Sequence, residues 1–334
     1  MVRKAKTHTP QSLMAEVNQV LGEGSVMLGS DPALTVEYLP TGVLPIDVLL
    51  KGGLPRGRWT ELYGDFSTLK SYIAYTALAT QQGVPGSLGG LVDTEHAFDP
   101  VWFSHLGGDA TQLVIQRPAT GEDAVAAIEY LIRQGCDLVV WDSIAATVPK
   151  DEAQKDPRNT PQPARLAALM SSGLRRLNAA NRRTAVLALN QTRTNVGIVF
   201  GSAEAVPGGR ALPFYASYRV SLRKAGKITQ DVRTWDGAKW VTSKQRTGIR
   251  IRAQLEKSKL NAPDREAWMT YDLRTAALDD LGFLMSQGLE QGYLVRDKGK
   301  WWWAEEPTTK YTEDELRANT DQTDWDWLTD QLMA

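Results

Sequence analysis

The chain has 334 residues, enough for one large domain and a smaller one or two. Its net charge is −1, 42% of its residues are hydrophobic, and no apolar run approaches the ~20 residues needed to span a bilayer. One cysteine, Cys136, rules out an intramolecular disulfide and a cysteine metal cluster, and His8, His96 and His105 do not form a zinc-ligand pattern.

Arg3, Lys4 and Lys6 are followed by no apolar stretch, which speaks against a secretory signal and for a cytoplasmic protein. Residues 12–21 carry apolar side chains at helical spacing and stop at Gly22 and Gly24, so a short amphipathic helix is expected there. From Trp59 the pattern becomes strand, loop, helix, repeated. Strands are expected at Trp59–Tyr63, Leu88–Val92, Leu138–Trp141 and Thr184–Leu189, and helices at Lys70–Gln82, Gly121–Arg133 and Ala164–Asn181. Such alternation implies a parallel sheet covered on both faces, with ligands at the carboxyl ends of its strands. Gly64, Asp93, Asp142 and Asn190 stand at those ends. Phe214–Arg223 and Gly248–Leu255 are expected to extend the sheet as antiparallel strands separated by a turn region rich in Gly, Lys and Thr. A composition shift near Arg274 begins a smaller tail domain. Five of the eleven tryptophans (Trp301, Trp302, Trp303, Trp325, Trp327) fall in the last 34 residues, either to build a small core or to stack on bases.

The first strand runs into Gly64-Asp65-Phe66-Ser67-Thr68-Leu69-Lys70-Ser71. A phosphate loop reads G-x-x-x-x-G-K-[ST]. Its backbone N–H groups cradle phosphates, its lysine reaches the β and γ oxygens, and its hydroxyl binds Mg²⁺. Leu69 occupies the place of the second glycine. A left-handed backbone there would cost a leucine about 1–2 kcal/mol, so either the loop stays right-handed or nucleotide affinity suffers.

The other strand ends carry polar groups. Asp93-Thr94-Glu95 follows the second strand, where a carboxylate could orient water as a general base, and Asp142 closes an apolar strand in the manner of a Walker B acid holding Mg²⁺. Acids at such places also cap helices. Asn190-Gln191 could report on the γ-phosphate or cap a loop; the residues alone leave both readings open.

Taken in order, these motifs resemble the RecA family over almost the whole chain. The resemblance is carried by Gly53-Leu54-Pro55-Arg56-Gly57-Arg58, Asp93-Thr94-Glu95-His96-Ala97-Phe98-Asp99-Pro100, Gly197 to Gly201, Gly208-Gly209, Ala211 to Ser217, Lys257-Ser258-Lys259, and Asp280-Leu281-Gly282 followed by Trp301–Trp303. It implies an α/β fold: a RecA-like P-loop ATPase core with a central, mostly parallel twisted sheet, a short N-terminal helix and a small α+β C-terminal domain. The divisions would be 1–36, a polymerisation arm; 37–273, the ATPase core; and 274–334, the C-terminal domain.

The implied activity is ATP-dependent homologous pairing and strand exchange by a helical filament on single-stranded DNA, with ATP and Mg²⁺ as cofactors, homologous duplex DNA as second partner and no membrane. The setting would be a bacterial or phage-infected cell, in association with the nucleoid. Residue by residue, Gly64 to Ser71 would bind phosphates, Ser71 and Asp142 the metal, and Asp99 and Trp102 the adenine. Glu95 resembles the catalytic base, and Gln191 the amide coupling ATP to DNA. Lys257 and Lys259 resemble residues that reach the neighbouring subunit's ATP, where cations would neutralise phosphate charge only after assembly. Asp151 to Gln162 resembles a first DNA loop, followed by Arg175 and Arg176, and Thr192 to Gly209 a second, with Arg193, Asn195, Val196, Gly197, Phe200, Gly208 and Gly209 in contact with DNA. Phe214 resembles a subunit-interface ring. Phosphate contacts suit sequence-independent binding, because base pairing supplies specificity.

Two positions depart from the pattern. Leu69 replaces a glycine, as in phage recombinases of the UvsX kind, and Asn195 replaces a basic residue. An ATPase-impaired DNA-binding filament modulator is the alternative function. A hexameric RecA-fold helicase or clock-type ATPase is the third reading, disfavoured because that class usually completes its neighbour's site with an arginine finger in place of a lysine pair.

Overall fold

The computed structural model describes residues 8–154, 163–194, 204–235 and 237–333. Two compact units divide at Glu37 and Tyr38. In the first, the helix Pro10–Leu21 starts at a reciprocal box in which Thr9 and Ser12 cap each other, and ends at Gly22. The Asn18 amide then clasps the Val26 backbone, donating to its carbonyl at 2.9 Å and accepting from its N–H at 2.8 Å.

The second unit is built on a sheet of nine strands among the described residues. In chain order these are β1 (Trp59–Gly64), β2 (Gly89–Asp93), β3 (Val114–Gln116), β4 (Leu138–Asp142), β5 (Ala185–Gln191), β6 (Tyr218–Trp235), β7 (Trp240–Ser258), β8 (Arg265–Asp272) and β9 (Ala277–Leu278). Their order across the sheet is β9-β8-β7-β6-β1-β5-β4-β2-β3. Strands from β6 to β3 run parallel, and β7, β8 and β9 add antiparallel. Alternation along a strand sends neighbours to opposite faces. Leu138 and Val140 join a core with the helix Lys70–Gln82, and Val139 and Trp141 a second core with Gly121–Arg133 and Pro163–Ala180. Continuous apolar runs in β4 and β5 follow from this two-sided burial. No helix among the described residues is long and apolar enough to cross a membrane.

The expected strand over Phe214–Arg223 begins later and joins β1 in parallel, so the antiparallel extension starts only at β7. Ala211–Tyr215 is a short helix, and β6 starts at Tyr218. Leu212 is fully buried by this turn, which returns the chain to β1 through Ser217 N–H donating to the Trp59 carbonyl at 2.8 Å. The expected turn region before Gly248 is strand instead: β6 and β7 pair, through three register shifts, from Tyr218↔Ser258 out to Trp235↔Trp240. The sequence that joins them begins with Asp-Gly, a dipeptide favoured in hairpin turns.

Beyond β9 come the helix Asp280–Gln291, a hairpin of Leu294–Asp297 with Lys300–Trp303, and the helices Glu313–Asn319 and Gln322–Met333. Trp301 and Trp325 are buried, and Trp303 packs on Trp325 and Trp327 with ring centroids 5.5 and 6.4 Å apart. These rings build a core from few residues.

Candidate nucleotide site and flanking surfaces

Gly64 ends β1 beside β6, where a Cβ would stand 2.1 Å from the Leu222 carbonyl oxygen; only glycine fits. The chain then turns sharply. Ser67 (φ 54°) and Leu69 (φ 69°) are both left-handed, so successive N–H groups converge on one concavity. Leu69 therefore does adopt the strained backbone, and its side chain packs against the core beneath. The helix Lys70–Gln82 starts at this point and aims its N-terminal dipole into the same hollow. Thr68 Oγ1 holds the loop by donating to the Asp65 carbonyl at 2.8 Å, and the Asp65 carboxylate accepts from Phe66 N–H at 2.8 Å.

Lys70 is buried in the loop. Its Nζ donates to the carbonyls of Gly64 (3.0 Å) and Asp65 (2.7 Å) and to Thr68 Oγ1 (3.3 Å). Burial holds its pKa below the ordinary lysine value. A buried ammonium whose partners are all uncharged oxygens suits an anion in that hollow. Ser71 Oγ lies 3.2 Å from Asp142 Oδ2, which also accepts from Tyr75 OH at 3.2 Å. Burial, and secondly the charge of Glu95, push the Asp142 carboxyl up to about 6. A hydroxyl and a hard carboxylate side by side suit a divalent cation that keeps most ligands from water and phosphate. The residues thus fit ATP with Mg²⁺.

Glu95 lies just beyond β2. Its Oε1 accepts from Ser143 Oγ at 2.5 Å and from Gln191 Nε2 at 2.8 Å. Among the described residues no protein donor reaches Oε2. The turn that carries Glu95 is fixed from beneath: the buried Asp93 accepts from Ala97 N–H and Phe98 N–H, both at 3.2 Å, and pairs with Arg117 at 3.3 Å. Thr94 N–H donates to the Asp142 carbonyl at 2.8 Å, tying β2 to β4.

Asn190 takes a different part from its neighbour. It is fully buried, donating to Glu61 Oε1 at 3.1 Å and to the Pro207 carbonyl at 3.0 Å, so it anchors the far end of the loop that Gln191 begins. Glu61 is paired in turn with Arg219 at 2.6 Å, and Arg219 lies over the Tyr63 ring at 4.7 Å. Sequence reasoning does not single out Tyr75, Ser143, Glu61 or Arg219. Only Tyr75 has a local signal, its i,i+4 spacing from Ser71 on one helix face.

Asp99 and Trp102 lie at the helix Pro100–His105. The Asp99 carboxylate caps it by accepting from Val101 N–H at 2.8 Å, and Trp102 stacks on His105 at 5.2 Å. Lys257 and Lys259 lie elsewhere. Lys257 Nζ donates to the carbonyls of Pro213 (2.5 Å) and Phe214 (3.1 Å), Lys259 Nζ to those of Phe214 (2.8 Å) and Tyr215 (3.3 Å). Burial holds both below the ordinary lysine value; the neighbouring Lys259 adds to the effect on Lys257 and Arg58 to that on Lys259. Through β6, Ser258 is in register with Thr60 near the start of β1, whereas the phosphate loop follows its end. The lysines and the loop thus occupy opposite ends of the sheet. Phe214 is 71% exposed, with Lys259 5.6 Å from its ring centroid.

Arg175 is exposed on the Pro163–Ala180 helix, whereas Arg176 pairs with Glu129 of the preceding helix, as does Arg133. Arg193 opens a two-residue strand paired with Glu204–Ala205. Gly208 and Gly209 form a turn with φ 92° and 71°, and a Cβ on Gly209 would stand 2.8 Å from Ala167 Cβ. Asn195, Val196, Gly197 and Phe200 lie outside the described residues, as does most of the Asp151–Gln162 segment.

A phosphate loop between strand and helix, a carboxylate with a hydroxyl for a metal, and a second carboxylate held by an amide define a P-loop ATPase. The family model described as RecA N-terminal domain matches residues 9–273, and the chain belongs to the RecA family. It is similar to "Protein RecA" of Thermus aquaticus, 39% identical over 268 residues covering 78% of this chain and 75% of that protein. "Protein RecA" of Mycobacterium ulcerans is 36% identical over 86% of this chain and 80% of its own length, and that of Thermus thermophilus 36% over 89% and 85%. The chain is accordingly an ATP-dependent DNA recombination protein, a DNA-dependent ATPase that uses ATP with Mg²⁺ and assembles on DNA as a filament.

Proposed function

We propose that Glu95 is the general base of ATP hydrolysis, that Gln191 couples it to DNA, and that Lys257 and Lys259 complete the site of an adjacent copy. The observation that carries this reading is the pair of hydrogen bonds converging on Glu95 Oε1 from Ser143 and Gln191. They orient the carboxylate and leave Oε2 to accept a proton from water. Bound ATP with Mg²⁺ supplies the phosphoryl group and neutralises charge on it. Lys70 and the N–H groups of the loop hold the phosphates, Ser71 and Asp142 hold the metal, and Tyr75 keeps Asp142 in place. Gln191 opens the segment read as the second DNA loop, so a displacement of that segment would shift its amide relative to Glu95.

In this reading 1–36 is a polymerisation arm, 37–273 the ATPase core and 274–334 a C-terminal domain. Arg175 and Arg193 contact DNA phosphates, while Arg176 serves the helix pair through Glu129. Asp99 caps its helix and, with Trp102, borders the adenine. Phe214 is an interface ring. The protein works in the cytoplasm. The deciding experiment is ATP hydrolysis with and without single-stranded DNA for the wild type, Lys70→Ala and Glu95→Gln. DNA-stimulated turnover by the wild type, lost on Lys70→Ala and lowered ~10²-fold or more on Glu95→Gln, is expected. A Glu95→Gln protein of normal rate removes Glu95 from the role of base.

A further inference from the structure

The β6–β7 ribbon outruns the sheet that carries it. β6 pairs with β1 only over Tyr218–Leu222, and β7 with β8 only over Gly248–Leu255, yet β6 and β7 pair with each other out to Trp235↔Trp240. Among the described residues the stretch between Lys227 and Arg246 therefore has no third strand. At ~3.3 Å per residue it projects about 26 Å from Lys227 to Trp235. It leaves the same end of the sheet as the phosphate loop, beside the start of the segment after β5: Lys224 sits 4.1 Å from the Phe66 ring centroid, and Tyr63, Gly64, Asp65, Thr192 and Lys224 share one cleft.

The side chains of this arm are sorted. Past the bulge at Ile228/Thr229, the pairs Thr229↔Arg246, Asp231↔Lys244, Arg233↔Thr242 and Trp235↔Trp240 share one face. The pairs Gln230↔Gln245, Val232↔Ser243 and Thr234↔Val241 share the other. Every lysine and arginine of the paired stretch beyond the bulge thus lies on the face of the two tryptophans, and the opposite face carries no charge. A merely solvated ribbon has no reason to be sorted in this way. Trp235 and Trp240 are 56% and 60% exposed, rings 5.8 Å apart, and Arg233 lies 5.9 Å from the Trp240 ring centroid. Asp231, the acid on this face, stands opposite Lys244. From Lys227 to Arg246 the arm holds five Lys/Arg against two Asp, in a chain of net charge −1.

We propose that this face of the ribbon binds single-stranded DNA, with Arg233, Lys244 and Arg246 on phosphates and Trp235 and Trp240 stacking on bases. Cations along a strand with aromatic rings at its tip are the combination that holds unstacked nucleotides without regard to sequence. A duplex would offer the phosphates but keep its bases from the rings, so the tryptophans favour the single strand. The proposal rests on the membership of a DNA-binding family and adds an arm to it.

The test uses the full chain and fluorescence anisotropy of a labelled oligo-dT across a salt series. Arg233→Gln/Lys244→Gln/Arg246→Gln takes three cations away from the phosphates and should make the slope of log affinity against log salt shallower by about two. Trp235→Ala/Trp240→Ala should bind roughly tenfold more weakly with the slope unchanged, and Trp235→Phe/Trp240→Phe should recover most of that loss. DNA-independent ATP hydrolysis and the circular-dichroism melt of each variant should match the wild type, which excludes misfolding. Variants that bind oligo-dT with wild-type affinity and slope overturn the arm while leaving the family's DNA binding intact, as does a loss seen for a duplex alone. A wild type that fails to bind oligo-dT overturns both.

Discussion

Gln191 and Ser143 donate to the same oxygen of Glu95, at 2.8 and 2.5 Å, so the ends of β5 and β4 meet on a carboxylate that follows β2. A shift of the Gln191 side chain is therefore felt at the Glu95 carboxylate. Gln191→Ala should retain nucleotide binding and hydrolysis without DNA, while the DNA-stimulated rate falls at least ~10-fold toward the unstimulated one. Steady-state ATPase with and without oligo-dT measures this. Undiminished stimulation would remove the coupling role.

Asp142 carries an opposed pair of consequences. Its carboxyl is raised from 3.8 to about 6, by burial first and the Glu95 charge second. The folded state thus holds the proton more tightly than the unfolded chain. The associated stability is complete below about 4 and is lost as pH rises through about 6. Asp142→Asn, which can still accept from Ser71 and Tyr75, should therefore melt higher than the wild type at about pH 7.5 without Mg²⁺ or nucleotide, with the gain shrinking toward about pH 4. Hydrolysis should be lost in the same protein. A lower melting temperature at the higher pH would contradict the burial argument.

Leu69 adopts φ 69° and ψ 15° while its side chain packs against the core. Backbone strain of about 1–2 kcal/mol opposes side-chain burial of similar size. Leu69→Gly should thus lie within about 1 kcal/mol of wild-type stability, whereas Leu69→Ile should lose about 1–2 kcal/mol more because a β-branched residue tolerates that backbone worse. Urea unfolding of both variants decides it, and equal losses would count against strain as the controlling factor.

Glu61 is fully buried and meets Arg219 at 2.6 Å with Asn190 on its other oxygen. Arg219→Met strands a charge beneath the sheet and should destabilise by about 3–5 kcal/mol. Glu61→Leu/Arg219→Met should be less destabilised than Arg219→Met alone, since no unpaired charge remains. Denaturant midpoints of single and double variants test this non-additivity.

Four of the six parallel strands, β1, β2, β4 and β5, are readable in the sequence because apolar runs of about five to seven residues ending in Gly, Asp or Asn mark strands buried on both faces; β3 is not, being a three-residue edge strand with no buried residue. Lys70–Gln82 and Gly121–Arg133 fall at their expected bounds for the same reason. The ribbon is not readable, because no third strand covers its far half among the described residues; neither face needs to be apolar, and Lys227 to Arg246 reads as polar turn. Phe214 reads as strand because its neighbours are apolar; the helical turn is fixed by Leu212 filling the core and by lysines 43 to 45 positions away. The placement of Lys70, Ser71, Glu95 and Asp142 just beyond or at the strand ends is legible as motif. The bonds from Ser143 and Tyr75, and the separate duties of Asn190 and Gln191, depend on long-range packing that no local pattern encodes.

Lys257 and Lys70 sit at opposite ends of the sheet, so one chain cannot bring both to the same phosphate. A head-to-tail assembly would do so at every junction. Lys257→Ala keeps its own phosphate loop, and Lys70→Ala keeps its own lysine pair. Each alone should be inactive as a DNA-stimulated ATPase. Mixed in equal amounts before DNA is added, they place an intact loop against an intact lysine pair at about a quarter of random junctions. Hydrolysis should recover to that order, and only when the two proteins are mixed before assembly. A mixture as inactive as its components, with filaments visible by microscopy, would show that Lys257 does not serve its neighbour.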